Sequence, residues 1–127
     1  MFRTQERSSF MPFFRQHSRR ERTATAYRDR VRLALQTALI GQITAAIRLI
    51  SVELGAATIR VVVYFHLSLS DDDQSDLSDE VASCLGLELG DPPAGPAAEC
   101  HFLRCDEPQR VPVRGEVVFA RKGVLTC

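Results

Sequence analysis

His66 and His101 are the residues here best suited to moving protons, because a histidine changes charge near neutral pH. His66 closes one apolar run and His101 opens another, so pairing of those two segments would bring the imidazoles together. A nucleophilic enzyme needs such a base beside its nucleophile. No GxSxG elbow, phosphate loop or glycine-rich dinucleotide turn accompanies them. A small enzyme using His66 and His101 is therefore an alternative reading, and the residues favour a binding protein over a catalyst.

Cys84, Cys100, Cys105 and Cys127 are the thiols. Zinc sites draw four ligands from recognised spacings, usually CxxC-like pairs. Only Cys100, His101 and Cys105 lie close together, and an extended strand would put Cys100 on the face opposite the other two. The cysteines read as small buried apolar residues. No metal site and no cofactor is expected, and the cysteine density does not suit a disulfide scaffold.

Charge is divided sharply along the chain. Residues 1–32 hold nine arginines against Glu6, Glu21 and Asp29, whereas residues 67–107 hold eleven acids against Arg104. Together with the remaining residues, these charges sum to a formal net charge of +0 over 127 residues. Asp71, Asp72, Asp73, Asp76, Asp79 and Glu80 form the acidic block. A calcium loop would alternate oxygen ligands around a mid-loop glycine, and none follows Asp71. These carboxylates instead suit a helix start, where the positive end of the dipole favours them, and an exposed face that docks a basic protein. Arg15, Arg19, Arg20, Arg22 and Arg28 suit a polyanion, where charge gives affinity without sequence readout. Phe10, Phe13 and Phe14 stand among these arginines, as base-stacking aromatics would. Nucleic-acid binding through the N-terminus is accordingly the second reading, opposed by the acidic body.

The elements that must position these groups follow from periodicity. Val31, Ala34, Leu35, Ala38 and Leu39 make one apolar helical stripe, which predicts a helix from near Thr25 to Gly41. Segments 47–54 and 58–66 are rich in Ile and Val, which favour extended backbone. Gly55-Ala56-Ala57 is short enough to join them as a hairpin. Ile59, Val61, Val63 and Phe65 form the core face of the second strand; Val62 and Tyr64 leave its other face half apolar, for a partner, a second subunit or the tail. Ser70 caps a second helix, with Leu77, Val81, Cys84 and Leu85 buried and Gly86 as its stop. Residues 86–97 are a Gly/Pro loop. Strands are expected over 99–105 and 116–122, as antiparallel neighbours joined by the long 106–115 connection.

The result is an α+β domain of order α-β-β-α-β-β, with one four-stranded, largely antiparallel sheet and both helices on one face. Residues 1–24 are expected as a flexible arginine-rich tail, 25–122 as the single domain and 123–127 as a frayed end. No secretory signal and no span-length apolar stretch is evident. A cytoplasmic location with reduced cysteines is expected, and homodimerisation stays open.

The segments ALIGQITAAIRLISVELGAATIRVVVYF, SDEVAS and PVRGEVVFARK resemble a group of small bacterial α+β proteins of uncharacterised function. The resemblance spans residues of about 33–122. It implies a fold outline and carries no functional residues. In general outline such proteins are also similar to toxin-immunity partners. The reading is a small intracellular protein-interaction module whose segment from Asp71 to Glu88 docks or neutralises a basic protein.

Overall fold

The computed structural model describes residues 10–124, with side chains described from Thr23 onward. The chain forms two compact units, Met1–Arg30 and Val31–Cys127. In the first unit, residues 10–30 are continuously helical. They belong to α1, Phe10–Ala38, which starts well before the expected Thr25. The apolar stripe begins only at Val31, so periodicity misses the earlier turns. Arg, Gln, Glu and Ala have high intrinsic helix propensity and need no buried face, and Pro12 falls in the first turn, where proline is tolerated. The basic block is therefore carried largely on helical backbone.

The second unit holds the sheet. β1 (Ile47–Leu54), β2 (Thr58–Phe65), α2 (Asp71–Leu89), β3 (Ala97–Arg104) and β4 (Glu116–Ala120) follow in the expected order. The sheet order is β3-β2-β1-β4. β1 pairs antiparallel with β2 and with β4, while β2 pairs parallel with β3. The sheet is thus mixed and mostly antiparallel. The last two strands are not the antiparallel neighbours expected from sequence; they lie at opposite edges. A helix between two strands returns the chain to the start of the next, which makes the pair parallel. α2 does this between β2 and β3, so the other side of β1 is left for β4.

The two central strands are buried on both faces, which explains their near-continuous Ile/Val runs. Ile50, Val52, Ile59, Val61 and Val63 form the face covered by the helices, with Leu77, Val81 and Leu85 from α2 and Val31 and Leu35 from α1. Each such side chain contributes about 1.5–3 kcal/mol by leaving water. Arg32 pairs with Glu116, tying the end of α1 to the start of β4.

On the other face, Leu49, Val62, Tyr64, Cys105 and Val111 form a second cluster. Two of these come from the 105–115 connection. It must cross the two central strands to reach the far edge, about 14 Å at normal strand spacing, and it does so as a strap over this face. Arg48 holds it. This side chain is 5% exposed, and its Nη1 donates to Cys105 O and Gln109 O, both at 2.8 Å. The β1–β2 register shifts at Arg48, which releases its side chain from strict alternation. Tyr64 Oη donates to Pro112 O at 3.0 Å, and burial raises its phenol pKa, so it remains a donor. Gly115 closes the strap at φ +72, where an added Cβ would stand 2.3 Å from Val52 O. Val124 also packs against the cluster, so residues 123 and 124 end in a packed turn.

The near end of the strap is fixed by charge. Leu67 adopts a left-handed backbone, φ 62, and its N–H donates to Asp106 Oδ1 at 2.7 Å. Arg104 Nε donates to both oxygens of the same carboxylate at 3.0 Å. Arg104 first, and the Leu67 N–H next, hold the Asp106 carboxyl at about 2, below its ordinary 3.8.

Two outcomes are expected. Replacing Arg48 by Met leaves Cys105 O and Gln109 O unpaired and should cost about 2–3 kcal/mol in urea unfolding. Loss of less than about 0.5 kcal/mol would show that the strap does not depend on it. A carboxyl whose folded pKa lies below its unfolded value stabilises at higher pH, and that stabilisation fades as pH falls from 3.8 toward about 2. The wild-type urea midpoint should therefore drop more steeply across that window than the midpoint of Asp106→Asn. Equal slopes would exclude the pair in solution.

Candidate partner-binding surface

α2 begins where Ser70, in extended backbone, accepts the Asp73 N–H at 3.1 Å. Asp71, Asp72 and Asp73 occupy the first turn as expected. Leu77, Val81 and Leu85 are buried, while Cys84 is only half-buried. The helix does not stop at Gly86. It runs to Leu89 and is capped at Gly90, whose N–H reaches Gly86 O. Gly86 serves packing instead: an added Cβ would meet Asp91 Oδ1 at 2.2 Å.

Asp71, Asp72, Asp73, Asp76, Asp79 and Glu80 are all exposed. Among the described residues none of the six has a cationic partner. Several carboxylates elsewhere differ. Glu53 and Glu99 lie within 4 Å of the Arg60 guanidinium, Asp106 pairs with Arg104, Glu107 with Arg121 and Glu116 with Arg32. One residue that sequence reasoning overlooked joins the acidic face. Leu87 is 87% exposed and follows Asp76, Glu80 and Ser83 along one side of the helix. Its spacing from Glu80, two turns on, was the available signal.

The histidines are not brought together. His101 stands opposite Val62, four residues before His66, about 13 Å along the strand direction. His66 Nδ1 accepts the Glu107 N–H at 2.9 Å and so helps anchor the strap. His101 Nε2 lies 3.2 Å from Glu99 Oε1 on the opposite side of the sheet from the helices. It lines an open recess of about 280 Å³ with Arg60, Tyr64, Leu103 and Arg114, which His66 does not reach. The sequence left this face to a partner, a second subunit or the tail; much of it is covered by the chain's own strap, a role that residues 105–115 do not advertise.

The thiols are dispersed. Cys105 is buried under the strap, where Arg48 Nη1 approaches its sulfur at 3.4 Å. Cys100 faces α2 beside Ser78, and burial pushes its thiol pKa up. Cys127 lies outside the described residues. Among the described residues no three His, Cys, Asp or Glu side chains gather as metal ligands.

Of the basic set, Arg28 is exposed on α1. Arg15, Arg19, Arg20 and Arg22 lie on the helical backbone, and their side chains fall outside the described residues, as do residues 1–9. No described helix is long and apolar enough to cross a membrane.

Among the described residues, α2 thus turns a row of carboxylates without cationic partners to solvent, whereas several other carboxylates are paired. The chain belongs to the MafI2 immunity protein family, whose model matches residues 28–123. The match contains the stretch that resembles small bacterial α+β proteins and leaves out most of the basic block. Membership implies a protein-interaction role. No curated protein matches the chain.

Proposed function

We propose that this protein neutralises a toxin by one-to-one docking of the exposed face of α2 onto a basic surface of that toxin. The family supplies the class of partner. The observation that carries the surface is the contrast among carboxylates: Glu53, Glu99, Asp106, Glu107 and Glu116 are matched by cations, whereas the six on α2 are not. Unmatched charge of one sign steers an oppositely charged partner and sets register, while apolar anchors slow release. Leu87 is placed to be such an anchor, at the C-terminal end of the same helical line. A partner that binds here needs no turnover. It is held in a complex that blocks it.

The test is the double reversal Asp76→Lys with Glu80→Lys, both at exposed positions. Affinity for the cognate toxin should fall by at least about tenfold, mainly through slower association, and its salt dependence should flatten. Leu87→Ser should instead speed dissociation. Unchanged kinetics in both variants would overturn the proposed surface.

A further inference from the structure

We infer that the toxin partner also contributes an extended, basic segment that adds to the open edge of β3 as a fifth strand. The inference deepens the reading above and rests on it for the class of partner. Its starting point is backbone chemistry. In the parallel β2–β3 ladder, Ala97 N–H donates to Ala57 O and Cys105 N–H to Phe65 O. The odd-numbered residues of β3 therefore turn their N–H and C=O groups inward to β2. Ala98, Cys100, Phe102 and Arg104 turn theirs outward, and none of these outward groups has a backbone partner among the described residues.

The two edges of the sheet are not equivalent. β4 has five residues, and its pairing with β1 is interrupted by a register shift between Ile50 and Ser51. Bulges and short length are among the devices that blunt an edge against another chain. β3 has eight residues in unbroken register with β2, and it contains no proline and no lysine. An edge of that kind is a template for a strand from outside.

Charge decides between occupants. α2 packs against β3, so a strand added at this edge would run beside the acidic helix. A second copy pairing antiparallel by two-fold symmetry would keep both α2 helices on the same face. Its six exposed carboxylates would come close to the six of the first copy, and like charges oppose such a pairing. An extended segment carrying Lys or Arg suits both features. Its backbone meets the outward groups of β3, and its alternate side chains point toward α2.

The experiment reads backbone amide exchange of the full chain, alone and bound to the cognate toxin. The amides of Ala98, Cys100, Phe102 and Arg104 should exchange quickly in the free protein and become protected by at least about tenfold in the complex. Ala98→Pro removes one outward donor and leaves the inward ladder intact; it should weaken binding about tenfold, whereas Ala98→Val should not. If those amides stay unprotected in the complex while the α2 charge reversal weakens binding, the fifth strand is wrong and the docking surface stands. If the amides are protected without toxin and sedimentation shows a dimer, the occupant is a second copy and the inference is overturned. Protection on β3 with no effect of α2 reversal would sustain the strand and remove the acidic surface. Should Ala98→Pro fail to fold, the exchange pattern of the wild-type complex decides alone.

Discussion

The fold depends on a buried guanidinium. With β3 and β4 at opposite edges of the sheet, the connection between them has to travel over a face made of Leu49, Val62 and Tyr64. A crossing chain brings peptide carbonyls into an apolar layer, where an unpaired polar group is costly. Arg48 meets two of them, Cys105 O and Gln109 O, from a bulge in the central strand. The arrangement is mutual, since the strap also provides the acceptors that let a cation sit 5% exposed with no carboxylate partner among the described residues. Tyr64, His66 and Asp106 then fasten the strap along its length.

This arrangement sorts the charges of the body into two groups. Those that hold the structure are matched locally: Arg104 with Asp106, Arg121 with Glu107, Arg32 with Glu116. Most of the matched pairs are exposed and worth little individually; their effect is to fix which backbone lies where. The acids on α2 have no such duty beyond the first turn, where the helix dipole accounts for Asp71 to Asp73. Asp76, Asp79 and Glu80 lie beyond that turn and are exposed.

Much of the architecture could be read from residue patterns. Ile/Val runs marked β1 and β2, and the Ser70 cap with its aspartates marked α2, because these signals are local. What escaped was set by contacts that only the folded chain brings about. Gly86 looked like a stop, yet its missing side chain makes room for Asp91. His66 and His101 looked like possible neighbours because one ends its strand and the other opens the next; those strands do pair, but the crossover through α2 makes them parallel, which sets the histidines apart. The strap was invisible because Arg48 and Gln109 are joined only by the folded chain. Of the candidate surface, the acidic residues were legible as a block. Leu87 and the open edge of β3 were not, since one needs the full length of the helix and the other needs the sheet order.

The sheet order also sets a timetable for the newly made chain. β1 is a central strand, yet one of its neighbours is β4, whose residues are synthesised last among the four strands. Until residue 120 has left the ribosome, one edge of β1 lacks its neighbour, and Arg48 waits for acceptors beyond residue 104. Contacts of such long separation form slowly and together. The β1–β2 hairpin can form early, whereas the strap and the last strand must dock as a closing step. A nascent chain would therefore hold one edge of β1 and one apolar sheet face open at once, and completion of the strap and the C-terminal strand is what shuts both.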